Sequence, residues 1–397
     1  MTSKLAIDGG KPVRDRPLPY GRQHVDDSDV AAVVAALTSD WLTTGPRVGE
    51  FEGAFAAAVG AGHAVAVSNG TAALHCAMHA VGVRPGDEVV VSPMTFAATA
   101  NAVVYCGGTP VFADVDDATL LVDPLKAAAA VTKRTRAVAS VDYAGHPVDA
   151  TAFRSLAAAH GLKWVSDACH ALGGSHQGKK VGSLADVSTF SLHPVKPITT
   201  GEGGVVTTDD AEIAARVRIF RNHGITSDHR SREKTGSFFY EMVDLGYNYR
   251  LTDIQCALGL SQLKRLPSMV ARRRALAERY AVQLADIQGV RPLRIAADVE
   301  HGWHIYVVRF DLERVRVDRA QLHAALRAEG VLANVHYVPV HLHPYYRERF
   351  GTRPGMFPVA ERAYAEMLTL PLFVAMTESD VDDVVVALKK VLDAYRR

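Results

Sequence analysis

Between residues 63 and 207 short runs rich in β-branched residues recur, at 63–67, 88–91, 110–113, 137–141, 163–166, 187–190 and 204–207, separated by longer and often alanine-rich stretches such as 71–81 and 149–160. Runs this short suit strands, and the stretches between them suit helices. Alternating strands and helices form a mostly parallel central sheet with helices on both faces, because a parallel neighbour is reached only by a crossover. The expected fold class is therefore α/β, with a ligand crevice outside the carboxyl ends of the strands.

Past Pro267 the pattern changes. A charged helix is expected over about 268–284, a strand over 305–310, and helices over about 319–329 and 379–395. This predicts a smaller C-terminal α+β domain over 268–397 after a large domain over 27–267, with a hinge near Pro267. Residues 1–26 form an N-terminal arm. Its stretch 5–19, with Gly9, Gly10, Pro12, Pro17 and Pro19, reads as extended rather than packed.

A chain of 397 residues that is 48% hydrophobic can fill two cores. Forty-four Lys and Arg against 43 Asp and Glu leave a net charge of +1, which supplies no field to draw in nucleic acid or an acidic membrane. Cys76, Cys106, Cys169 and Cys256 lack CxxC spacing, which argues for reduced thiols and no metal site. The first ten residues lack the apolar core of a signal peptide, and no apolar run reaches a membrane span. The expectation is a cytoplasmic protein.

The chemistry centres on Lys196, between Pro194 and Pro197 and just before Gly201, Gly203 and Gly204. A lysine amine is a weak nucleophile and base at neutral pH unless it is desolvated or engaged covalently, and a rigid turn can provide either setting. By residue type alone a surface lysine is the better bet. Asp167 tips the balance, because it follows the run 163–166 and so places a carboxylate at a ligand-facing strand end, where it would pair with a pyridinium nitrogen. The Ser68-Asn69-Gly70-Thr71 turn opens a helix and could hold a phosphate, although Ser68 or Asn69 could simply cap it. Phe96 could stack on a flat ring or belong to the core, and Ser191 offers a second hydroxyl. The conjunction, with the lysine 29 residues beyond the aspartate, points to a Schiff-base lysine.

Five words carry a resemblance: Ser140-Val141-Asp142-Tyr143-Ala144-Gly145, His193-Pro194-Val195-Lys196-Pro197-Ile198-Thr199-Thr200, Leu245-Gly246-Tyr247-Asn248-Tyr249-Arg250-Leu251, Ala257-Leu258-Gly259-Leu260-Ser261-Gln262-Leu263-Lys264 and Val335-His336-Tyr337-Val338-Pro339. From about Tyr20 to its end the chain resembles the pyridoxal-phosphate sugar aminotransferases of the DegT/DnrJ/EryC1/StrS family, and within it the branch that serves pseudaminic acid synthesis. The resemblance implies the type I aminotransferase fold, pyridoxal 5'-phosphate as cofactor, and a homodimer with active sites at the subunit interface. It implies that Lys196 joins the cofactor, Asp167 pairs with the ring nitrogen, His170 lies near the ring hydroxyl and Phe96 stacks on the ring. It further implies that Gly70, Thr71 and Ser191 bind the phosphate and that Asn248 reaches the neighbouring subunit's phosphate region. Tyr20, the Asp40-Trp41-Leu42-Thr43 turn, His336 and Tyr337 match positions that line the nucleotide-sugar pocket in that family.

The implied reaction is transamination at C4 of a 4-keto-6-deoxy nucleotide sugar, of the UDP-4-keto-6-deoxy-N-acetyl-L-altrosamine type, with glutamate as amino donor. The long arm and the Asn69-Gly70-Thr71-Ala72-Ala73 turn follow the general family form rather than that branch. A C4 or C3 aminotransferase acting on a dTDP-keto-deoxy sugar for secondary metabolism therefore stays open, as does a pyridoxal-phosphate-binding regulator without turnover. A nicotinamide dehydrogenase is disfavoured because no GxGxxG follows an early strand. A pyridoxal-dependent lyase or desulfurase is disfavoured because no catalytic cysteine loop is evident. Lys196 is retained where a dehydrating subset of the family carries histidine, and His193 is not that replacement.

Overall fold

The computed structural model describes residues 4–227, 232 and 236–397. All seven expected strands form: β1 (His63–Val67), β2 (Glu88–Val91), β3 (Thr109–Phe112), β4 (Thr135–Val141), β5 (Lys163–Asp167), β6 (Val187–Ser191) and β7 (Gly204–Thr208). They make one sheet in the order β1-β7-β6-β5-β4-β2-β3. Only β7 is antiparallel to its neighbours, β1 and β6; the remaining pairs are parallel.

Alternation along each strand divides its side chains between two layers. Ala64, Ala66, Val138 and Phe190 pack on one face with Phe51 and Phe55 of α2 (Pro46–Val59), which follows α1 (Asp27–Leu37) in the chain. Val65, Val67, Ala139 and Val187 pack on the other with α3 (Gly70–Ala80), α4 (Ala98–Tyr105) and a helix over Ala211–Phe220. Helices on both faces leave the strand ends as the open rim, where β5 and β6 deliver Asp167 and Ser191.

The chain leaves this body along α5 (Asp253–Leu284), which starts well before the expected Ser268. Thr252 and Gln255 form a capping box at its start, and Pro267 lies inside it. A proline there removes one intrahelical hydrogen bond, yet both halves of the helix are anchored. Leu263 and Leu266 belong to the large core, while Leu276, Tyr280 and Leu284 belong to a second core. At about 1.5 Å per residue the helix is roughly 48 Å long and carries the chain from one core to the other without a loop. The second core is closed by an antiparallel sheet of β8 (Val290–Pro292), β9 (Tyr306–Phe310) and β10 (Met367–Leu370), with α6 (Arg319–Ala328) and α7 (Glu378–Tyr395) against it.

The arm corrects another expectation: it is packed. Leu5 and Leu18 are buried in the second core, and Leu18–Pro19 pairs in parallel with Val331–Leu332. Buried Glu329 accepts from the backbone N–H of Ala6 at 2.8 Å and of Val13 at 3.0 Å, and pairs with Lys390 at 2.8 Å. Two leucines with a home in a core, and one carboxylate that satisfies the donors of an irregular segment, hold down a stretch whose glycines and prolines suggest freedom.

Candidate active site

The rim is built from strand ends upward. Asp167, the last residue of β5, is 6% exposed. One carboxylate oxygen accepts from the Thr99 hydroxyl at 2.6 Å and the other from the Cys169 N–H at 3.2 Å, so its plane is fixed. Thr99 is itself 2.7 Å from the Thr95 hydroxyl, in the loop that leads into α4. Behind this residue lies the fully buried Asp142, whose N–H donates to the Asp167 carbonyl at 3.0 Å. Burial pushes the Asp142 carboxyl up to about 7.

Lys196 sits on a loop that closes on itself. Its N–H donates to the His193 carbonyl at 2.9 Å, and the Thr199 hydroxyl and Thr200 N–H both donate to the Leu192 carbonyl, at 2.9 and 3.1 Å. Gly203 and Gly204 bring this loop against Thr200 and the Asn69 carbonyl so closely that neither position has room for a Cβ. The Lys196 amine lies 3.3 Å from His304 Nε2. Burial lowers its pKa from the ordinary lysine value; Cys169 and Asp167 oppose that shift and Arg273 adds to it.

At the start of α3 the Asn69 side chain accepts from the Ala72 N–H at 2.8 Å, so Asn69 is a helix cap. Gly70 and Thr71 follow it into the first turn and stand beside Ser191. A Cβ on Gly70 would come within 2.8 Å of the Ser191 Cβ. The glycine thus leaves a cradle of first-turn N–H groups and hydroxyls at the positive end of an eleven-residue helix, which suits a phosphate.

The side walls are aromatic. Phe96 is 60% exposed, a large apolar face turned to the cavity with Tyr337 5.7 Å away and tilted. His170 Nδ1 accepts from the Ala144 N–H at 3.2 Å, which leaves its Nε2–H for the Tyr337 hydroxyl at 3.0 Å. Burial holds this imidazole well below its ordinary pKa. Opposite, Tyr20 and His336 lie with ring centroids 5.0 Å apart, and His336 Nδ1 is 2.9 Å from the Thr369 hydroxyl.

A cavity of about 730 Å³ gathers ten of the expected site residues: Tyr20, Gly70, Thr71, Phe96, Asp167, His170, Ser191, Lys196, His336 and Tyr337. Asn248 and the turn of Asp40, Trp41, Leu42 and Thr43 do not line it. Asn248 pairs with Asn222, Thr43 pairs with Thr252, and the Leu42 carbonyl accepts from the Asp253 N–H at 3.0 Å. Their neighbours Thr44, Asn222 and Arg250 line a separate depression of about 420 Å³. Thr99, His304 and Arg273 escape the sequence reading. Thr99 lies in the first turn of α4 and meets Thr95 from the loop before it, and His304 and Arg273 approach Lys196 through long-range packing. Among the described residues no group of His, Cys, Asp or Glu is arranged to hold a metal, and no helix is long and apolar enough to cross a membrane.

The chain is 42% identical over 381 residues to the spore coat polysaccharide biosynthesis protein SpsC of Bacillus subtilis, covering 96% of this chain and 98% of that one. Among solved structures it matches Helicobacter pylori PseC, an aminotransferase involved in the biosynthesis of pseudoaminic acid, with a TM-score of 0.89, 32% identity, and 96% and 100% of the two chains covered. DesI, solved in the presence of its TDP-sugar product, matches with a TM-score of 0.87 and 36% identity over 97% and 95% of the two chains. A family model matches residues 23–389. With that match spanning nearly the whole chain, the protein belongs to the DegT/DnrJ/EryC1/StrS aminotransferase family.

Proposed function

We propose that this protein is a pyridoxal-phosphate-dependent aminotransferase of nucleotide-linked keto sugars. The observation that carries the reading is the convergence on one rim of a half-buried lysine, a strand-end carboxylate with both oxygens held, and a glycine-hydroxyl cradle at a helix start. These residues fit the cofactor: Lys196 to join it, Gly70, Thr71 and Ser191 for its phosphate, Phe96 for its ring face, His170 beside its hydroxyl and Asp167 for its ring nitrogen. Pyridoxal phosphate, when bound, supplies an electron sink for the pair left behind when a proton leaves carbon.

The chain's own groups do the rest. Asp167 keeps the ring nitrogen's proton in place, and its bonds to Thr99 and Cys169 prevent it from turning away. Lys196 Nζ, its proton affinity lowered by burial, takes the α-proton of the donor, which we assign as glutamate, and later delivers a proton to C4 of the sugar. Tyr20, His336 and Tyr337 orient the sugar at the cavity mouth. The substrate we favour is a UDP-linked 4-keto-6-deoxy-N-acetyl-L-altrosamine type sugar, on the likeness to PseC; the likeness to DesI favours a dTDP-keto-deoxy sugar as the second reading.

We further assign Asn248 and residues 40–43 to a partner copy's site in a homodimer. They sit away from their own cavity, and Phe238, Phe239, Tyr240, Met242, Val243 and Leu245 stand exposed nearby in the chain. Four free thiols suit a cytoplasmic setting. The test is absorbance of the purified protein with pyridoxal phosphate, then glutamate, then UDP- and dTDP-4-keto-6-deoxy sugars. A visible band that bleaches with glutamate and returns with one keto sugar is the expected result. Absence of the band removes the function; a band that no keto sugar restores removes the substrate class.

A further inference from the structure

Arg273, in the middle of α5, is 1% exposed and makes no ion pair among the described residues. Its guanidinium instead donates to four backbone carbonyls: Leu372 at 2.9 Å, His304 at 3.1 Å, Trp303 at 3.3 Å and Val195 at 3.4 Å. Val195 precedes Lys196, and the Leu372 N–H donates to the Tyr20 carbonyl at 3.0 Å. Nη1 donates to the Leu372, His304 and Trp303 carbonyls and Nη2 to that of Val195, so one planar group ties together the segments that carry the lysine, His304 and Tyr20.

The His304 segment is held under strain. Trp303 has φ of +50°, a left-handed conformation that a bulky residue adopts only when its surroundings impose it. The Arg273 bond to its carbonyl and the stacking of its indole against Tyr306 are two such impositions. The result turns His304, 3% exposed, towards Lys196, with Nε2 3.3 Å from the amine and Nδ1 without a partner among the described residues.

We propose, on the aminotransferase reading above, that Arg273 and His304 are positioning residues for the catalytic lysine. Arg273 fixes the backbone of both partners and lends them its charge, and neutral His304 accepts an N–H of the freed Lys196 amine so that the lone pair points at the reacting carbon. Asp167 and Cys169 face Lys196, and His170 and His336 face His304. Burial is the main cause that lowers the proton affinity of both groups, and Arg273 acts in the same direction on each. Burial also brings Arg273 down to about 10, so it remains charged at neutral pH.

The test compares Arg273→Met, Arg273→Lys, His304→Leu and His304→Gln, each loaded with pyridoxal phosphate. The readouts are the pH midpoint of the visible band and the rate at which glutamate bleaches it. In Arg273→Met the midpoint is expected to rise by about one pH unit, the size expected for loss of one nearby charge, whereas in Arg273→Lys it stays while bleaching slows. His304→Leu should bleach about 100-fold more slowly, as misplacement of a reacting group does, and His304→Gln should recover part of that loss. A merely structural role would slow both arginine variants without moving the midpoint, and that outcome overturns the proposal. If Arg273→Met does not fold, the histidine pair decides: a parental rate in His304→Leu overturns the proposal, and a loss partly restored by glutamine supports it. A parent protein with no visible band would overturn the aminotransferase reading and this inference together, whereas a normal parent with parent-like variants overturns this inference alone.

Discussion

The two walls of the cavity are built by different means. Lys196, Asp167 and the Gly70–Ser191 cradle stand on the rim of the large sheet, each within a residue or a short closed loop of a strand end or helix start. Tyr20, His336 and Tyr337 stand on loops and on the arm, and they are located by side-chain ties such as His336 to Thr369 and Glu329 to the arm. A wall made of strand ends inherits the rigidity of the ladder behind it, which suits proton transfer at fixed atoms. A wall made of tied loops can change its lining without disturbing the sheet, which suits the choice of sugar.

The sharpest way to break this comparison is at the rim. Lys196→Ala should lower turnover by more than about 10⁴-fold, because in the proposed mechanism one amine serves as both anchor and acid/base. Full activity in that variant would end the assignment. Asp167→Ala follows, with a loss of about 10³-fold in kcat, the upper range for removing one preorganised electrostatic partner. If its effect fell on the KM for sugar instead, Asp167 would belong to the selecting wall. Gly70→Ala should weaken cofactor binding about tenfold, since the new Cβ meets Ser191 at 2.8 Å and a clash of this kind must push the cradle open. Titration of the apo protein with pyridoxal phosphate reads this directly, and the penalty should shrink when Ser191→Gly is made alongside it.

On the other wall, His336→Ala removes a ring that packs on Tyr20 and is tied to Thr369, neither of which belongs to the lysine loop. The expected result is about a fivefold rise in the KM for sugar, with the glutamate half-reaction within a factor of two of the parent. Equal losses in both half-reactions would dissolve the distinction between the walls.

How much was legible in the sequence follows the same division. All seven strands and the rim residues announce themselves by local pattern, because a strand end and the turn after it are consecutive in the chain. Alternation cannot say which loop 108 positions away will meet Lys196, so His304 was invisible although it stands 3.3 Å from the amine. Arg273 looked like one more charge on a solvated helix, since periodicity does not reveal that its partners are carbonyls. Pro267 suggested a boundary because a proline usually ends a helix, and here packing of both halves of α5 outweighed that preference. In the arm, glycines and prolines spoke for freedom while two leucines and a distant glutamate decided for packing.

The rigid wall carries a cost of its own, and it depends on pH. Asp142, bonded through its backbone to Asp167, is buried with its carboxylate accepting from the Val148 N–H and the Ser166 hydroxyl, both at 3.0 Å. Burial pushes it up to about 7, above the value of about 3.9 it would have when unfolded. The fold therefore prefers the neutral acid: this contribution is whole below about pH 4 and is lost as pH rises towards 7. Asp142→Asn cannot ionise and keeps an acceptor for Val148, so its stability relative to the parent should improve by roughly 2–3 kcal/mol between pH 5 and pH 8. Chemical denaturation of both proteins at the two pH values measures the gap. A gap that stays constant would mean that the two hydrogen bonds already compensate the buried charge, and the rim would then be rigid without that penalty.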